Sequence, residues 1–146
     1  QNHSGDRLAV NISSLMRVVE HCDPKWIGIQ YDPGHCALSG ESPRCALNLM
    51  GPYCQSVNFK GPRYLNYINP TTGQLNYRFM IGPLRDGMLN VPLVLAELQK
   101  AGYTDPISIH AEYGAYFYEV TKNLEATNKL VAADVQYVRE CMSKMQ

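Results

Sequence analysis

The chain has no excess of either charge. Its 146 residues carry 13 Lys+Arg against 13 Asp+Glu, a formal net charge of zero with a pI near 7.1. It therefore lacks the cationic footprint of a partner for nucleic acid or an anionic membrane surface. It also lacks any apolar run approaching the roughly 20 residues of a membrane-spanning helix. The first residues, Gln1 to Asp6, are polar and carry no apolar segment of the signal-peptide kind. Cysteine is poorly arranged for a disulfide framework or a structural zinc site. The five residues Cys22, Cys36, Cys45, Cys54 and Cys141 are odd in number and contain no CxxC pair. We expect reduced, mostly buried thiols and a cytoplasmic type of compartment. At 45% hydrophobic and 18% charged, the composition excludes disorder and leaves one globular domain over residues 1–146.

What is present is an alternation of helical and strand patterns. Leu8, Ile12, Leu15, Met16, Val18 and Val19 recur at nearly helical spacing between Leu8 and Cys22, and Asp23-Pro24 stops the run. Trp26 to Tyr31 reads as a short buried strand leading into a turn, Asp32-Pro33-Gly34-His35. A short helix from Pro43 to Met50 ends at Gly51-Pro52, and Gln55 to Lys60 reads as the next strand. Tyr64–Ile68 and Leu75–Ile81 flank the turn-rich Asn69-Pro70-Thr71-Thr72-Gly73, which predicts a hairpin. Val91, Val94, Leu95, Leu98 and Ala101 then share one helix face, with Pro92 in the first turn and Gly102 after the last. Pro106 to Tyr113 reads as a third strand, in which Ile107 and Ile109 point opposite to Ser108 and His110. A final helix is predicted from about Tyr118 to Met142.

Strands alternating with helices mean parallel strands with helical crossovers, so the fold class is α/β. Three strands, with a fourth implied just before Gln1, do not close a barrel. The chain is either a small open sheet or the back portion of an eight-stranded barrel of about 250 residues. The polar start favours the second, with the chain a fragment and its open edges covered by the missing N-terminal half or by another copy.

In parallel α/β folds the chemistry gathers at the carboxyl ends of the strands. Those ends here carry Gln1, Asn2 and His3, then Asp32 and His35, then Asn58 and Lys60, then His110 and Glu112. Each has a plain explanation taken singly. Asp32 shapes a turn, His35 and His110 are structural imidazoles, Lys60 is solvated, and Glu112 anchors a loop. Together they deliver a metal-capable or proton-transferring group from every strand to one rim.

Five segments in this order resemble the sugar phosphate isomerase/epimerase proteins, the xylose isomerase-like TIM barrels to which endonuclease IV is also related. They are Tyr31-Asp32-Pro33-Gly34-His35, Ser56-Val57-Asn58-Phe59-Lys60, Pro83 to Met88, Ala101-Gly102-Tyr103, and Pro106 to Tyr113. The resemblance implies a C-terminal portion of a (β/α)8 barrel, from the end of its fifth strand through its eighth helix. It implies four metal ligands, Glu, Asp, His and Glu, falling on Gln1, Asp32, Asn58 and His110. Only Asp32 retains the family residue. The resemblance also implies substrate contacts for His35, Lys60 and Arg63, although Gly61 stands where the family carries Asp.

These departures weaken a site for Mg²⁺ or Mn²⁺, which prefer anionic oxygens, and leave a mixed nitrogen/oxygen set better suited to Zn²⁺ or Co²⁺. An amide at Gln1 cannot act as a general base, so a two-glutamate mechanism is closed. His110 with Glu112 is the expected proton-transferring pair. His3 is expected to bind substrate, or to replace the lost glutamate if the strand tip bulges. The function expected is metal-assisted isomerisation or epimerisation of a small carbohydrate, with proton transfer next to a carbonyl. The alternative is a non-catalytic carbohydrate-binding barrel, using rim aromatics Tyr31, Tyr64, Tyr67, Tyr113, Tyr116 and Phe117 for stacking.

Overall fold

The structure, a computed structural model, describes residues 1–5, 8–113 and 123–145. Helix α1 spans Ile12–Val19, four residues later than the apolar spacing predicts at its start. Asn11 decides that boundary. Its side chain accepts from Ser14 N, and Ser14 Oγ accepts from Asn11 N, a reciprocal cap that Leu8 could not provide. Strand β1 covers only Ile29–Tyr31. The expected start at Trp26 is displaced because Trp26 N and Ile27 N both donate to Asp23 O, turning the chain.

The segment expected as a turn is helix α2, Pro33–Leu38. Asp32 is its N-cap, accepting from His35 N at 3.0 Å, and Pro33 occupies a first-turn position where no N–H is needed. Helix α3, Pro43–Met50, agrees with the sequence reading. Strand β2, Cys54–Phe59, is followed by strands β3, Gly61–Ile68, and β4, Leu75–Gly82, which form the predicted hairpin with full antiparallel pairing. Helix α4, Val91–Lys100, is capped by Asn90, and Gly102 takes the left-handed φ of 74° that ends it. Strand β5 is Ile107–Ile109, shorter than predicted, and helix α5 runs Leu124–Ser143. The predicted start of that helix, at about Tyr118, and the rim aromatics Tyr116 and Phe117 lie outside the described residues.

Strands β1, β2 and β5 form one parallel sheet in that order, with Asn58 level with Ser108 and Tyr31 level with Val57. The fold is α/β with parallel strands and helical crossovers, and the described strands do not close into a barrel. Period-two alternation gives the sheet two characters. Ile29, Tyr31, Val57 and Phe59 are buried in the core with Ile12, Leu15, Met50, Val91, Val94, Leu98 and Val138 from the helices, and Ile107 and Ile109 pack against it. Asn58, Ser108 and the residues that follow each strand occupy the other face. The apolar core thus fixes the register that sets the polar groups side by side.

The five cysteines are free, but only Cys36 and Cys141 are buried, against the expectation that most would be. No described helix is long and apolar enough to cross a membrane.

Candidate functional site

Asp32 follows β1, Lys60 follows β2 and His110 follows β5, so the three parallel strands end on one cluster. Asp32 is fully buried and lies at its centre. Its Oδ2 accepts from Gln1 Nε2 at 2.9 Å, from Asn58 Nδ2 at 2.7 Å and from the Lys60 ammonium at 3.1 Å. Its Oδ1 accepts from His35 N, and its backbone N–H and C=O both pair with the side-chain amide of Asn2. Asn2 therefore does for β1 what a neighbouring strand would do. No sequence signal separates it from the polar residues around it, and its importance comes only from where β1 lies.

Lys60 is 1% exposed. Its Nζ also stands 2.8 Å from Glu112 Oε2 and 3.1 Å from His35 Nε2. A lysine ammonium only donates, so His35 Nε2 accepts and His35 Nδ1–H donates to Ser4 Oγ at 2.9 Å. Burial is the chief cause that holds the His35 imidazole below its ordinary range, opposed by Asp32 and reinforced by Lys60. Burial pushes Glu112 up, but the hydrogen bond and charge of Lys60, with His110, outweigh it and hold the carboxyl below its usual range. The ring of His3 lies 4.1 Å from that of His35, while His3 itself is exposed and its Nδ1 accepts from Gly5 N.

His110 stands between unlike partners. Its Nδ1 is 3.3 Å from Asn58 Nδ2, a donor, and 3.5 Å from Glu112 Oε1, an acceptor. Pairing with Asn58 requires a lone pair on Nδ1 and leaves the proton on Nε2. Pairing with Glu112 requires Nδ1–H and leaves Nε2 basic. One imidazole thus presents either an acid or a base at Nε2, depending on which neighbour it faces. Asn58 Oδ1 is buried with no hydrogen-bond partner, a free acceptor in the same cluster.

The sequence-predicted residues Gln1, Asp32, His35, Asn58, Lys60, His110 and Glu112 come together, with the His3 ring tilted against that of His35. Arg63 lies on β3 opposite Met80, half-buried, and is not among the groups joined to Asp32 or Lys60. Tyr113 is a correction to the rim aromatics. It is 5% exposed and donates to Asp134 Oδ2, so it braces the core and offers no stacking face. Tyr31 is also buried, whereas Tyr64 and Tyr67 are exposed on the hairpin. Glu41, which the sequence reading missed, accepts from Ile12 N, Ser13 N and Ser13 Oγ and from Cys36 Sγ, tying α1 to the end of α2.

The donor set does not fit a divalent ion as arranged. Gln1 and Asn58 turn N–H groups toward Asp32 Oδ2, and an ammonium already neutralises that carboxylate. Among the described residues no three His, Cys, Asp or Glu side chains form a group able to hold a metal.

Comparison with known proteins agrees with this architecture. Over 129 residues the chain is 25% identical to an inosose dehydratase of Lacticaseibacillus casei, covering 79% of this chain and 43% of that protein. The inosose dehydratase of strain BL23 matches at the same identity, with 42% of its length covered. The chain thus spans less than half the length of the curated relatives it matches. A family model described as the xylose isomerase-like TIM barrel matches residues 1–141. The chain belongs to the xylose isomerase-like TIM barrel family.

Proposed function

We propose that this site modifies a small carbohydrate, a sugar, sugar phosphate or related polyol, by moving a proton next to a carbonyl group. Isomerisation, epimerisation and dehydration all begin with that step. The convergence of Asp32, Asn58, Lys60, His110 and Glu112 at the ends of three parallel strands carries the reading. The family and the relatives named inosose dehydratase support it.

In this reading His110 is the acid/base group. Its Nε2 removes the proton while Glu112 accepts from Nδ1–H and stabilises the imidazolium that results. The electron pair of the broken C–H bond moves into the adjacent carbon–carbon bond as the carbonyl oxygen gains charge. Return of the proton at the neighbouring carbon, with the hydroxyl proton on the first carbon passing to the former carbonyl oxygen, isomerises the sugar, and return to the opposite face of the first carbon epimerises it. Substrate reaches the site at His110 and Glu112, its solvent-accessible members, while the fully buried Asn58 holds Asp32 and His110 in place.

A second reading, carbohydrate binding without catalysis, is favoured by a specific observation: Asp32 is satisfied by Lys60, and three of the four family ligand positions carry no carboxylate. Incubation of the full protein with a panel of ketoses and cyclic polyhydroxy ketones in deuterated water separates the two. Deuterium at carbon next to the carbonyl is the expected result, and binding without exchange would establish the second reading.

A further inference from the structure

We propose that Lys60 is the resident cation of this site, its ammonium filling a cradle of three acceptors that are spaced for an ammonium and that a divalent metal could take only after they draw inward. The cradle consists of Asp32 Oδ2 at 3.1 Å, His35 Nε2 at 3.1 Å and Glu112 Oε2 at 2.8 Å from Nζ. Two carboxylate oxygens and one imidazole nitrogen form a donor set that transition metals accept readily. An ammonium has three N–H donors, and each meets one acceptor here, so the match is complete in number.

The dimensions decide which cation the cradle suits. Distances of 2.8 to 3.1 Å are hydrogen-bond lengths. Bonds from Zn²⁺ to oxygen or nitrogen run about 2.0–2.2 Å, so the three donors would have to contract by nearly an ångström. With the ammonium in place, His35 Nε2 and Asp32 Oδ2 stand 3.8 Å apart, so the inward movement a metal needs becomes possible only when Lys60 Nζ is removed and the half-exposed Glu112 can close in. Asp32 is held by Asn2, Gln1, Asn58 and His35 N, while His35 is held by Ser4.

The lysine is also locked in place. Gly34 passes so close to its stem that a Cβ there would stand 2.6 Å from Lys60 Cγ. Strand β2 ends immediately before Lys60, and the Met88 N–H bonds to Pro62 O just beyond it, so the backbone on both sides is fixed. A cation carried by such a segment cannot exchange with solvent. The consequence is that substrate binding and any chemistry at this site proceed without added metal, and that shortening Lys60 to an apolar residue opens a metal site.

The test uses the full protein after treatment with a chelator. Zn²⁺ and Mn²⁺ are titrated calorimetrically, and Co²⁺ uptake is read from its visible absorption. Wild type is expected to take up none at Asp32 and to melt at the same temperature with and without chelator. Lys60→Met is expected to take up one equivalent of Zn²⁺ or Co²⁺ per chain, and the double variant Lys60→Met/Asp32→Asn none. Uptake by wild type that Asp32→Asn abolishes would overturn the proposal, as would a folded Lys60→Met that takes up no metal. If Lys60→Met does not fold, the wild-type and Asp32→Asn titrations decide alone, absence of Asp32-dependent uptake supporting the proposal and its presence overturning it. Metal uptake is read by titration and proton transfer by deuterium exchange, so failure of either leaves the other standing.

Discussion

Asp32 and Lys60 face each other at 3.1 Å with both side chains excluded from solvent, one as the N-cap of α2 and the other at the end of β2. A buried pair of this kind adds little net stability over an apolar replacement, but breaking it leaves one charge stranded. Asp32→Asn therefore removes a charge that Lys60, Gln1 and Asn58 all require. The expected loss is about 3–5 kcal/mol, read from denaturant unfolding. A loss below about 1 kcal/mol would mean that Glu112 alone suffices for Lys60.

Gly34 tests the close packing around this pair. A Cβ at that position would meet Lys60 Cγ at 2.6 Å, Lys60 O at 3.0 Å and Asp32 Oδ1 at 3.1 Å. Alanine is the better helix former, yet the clash includes backbone oxygen that cannot retreat. Gly34→Ala is expected to cost ~1–3 kcal/mol and to shift the chemical environment of Lys60, read by unfolding and by amide chemical shifts. An unchanged or raised stability would contradict the packing.

Glu41 predicts the acid side of the stability profile. Burial raises its carboxyl, but bonds from Ser13, Ile12 and Cys36 outweigh burial and hold it below the ordinary 4.5. A carboxylate with a lowered folded value contributes stability that is complete above about 4.5 and fades as pH falls through that lowered value. Wild type should lose stability across this acid window more steeply than Glu41→Gln, with thermal melts between pH 3 and 6 as the measurement. Parallel curves would show that Glu41 is not coupled to folding.

His110 and Glu112 are separable by kinetics. His110→Gln keeps hydrogen bonding but removes the base, and deuterium exchange into a bound ketose should fall by about 10²–10⁴-fold. Glu112→Gln keeps Nε2 but weakens the partner of the imidazolium, so its exchange should fall less and its pH profile should move. Equal exchange in His110→Gln and wild type would reassign the base.

Residue order carried much of this fold. The alternation of Ile107 and Ile109 with Ser108 and His110 separates a core face from a polar face, and the same holds for Val57 and Phe59 against Asn58 and Lys60. Element boundaries were less legible. Capping by Asn11 and the Asp23 turn act through single hydrogen bonds that hydrophobic spacing does not register. The DPGH segment read as a turn because its Pro and Gly are turn formers, whereas Asp32 at the N-cap and Pro33 in the first turn equally suit a helix start.

By itself the sequence determined the α/β order, the polar strand ends and the absence of glutamate at Gln1 and His110, because periodicity and residue type are local properties. The tertiary structure alone decided that Lys60, which looked like a solvated end residue, is buried against Asp32, His35 and Glu112. Those partners lie 25 to 52 residues away in the chain. Their meeting depends on the register of three parallel strands, which the apolar core on the opposite face of the sheet sets.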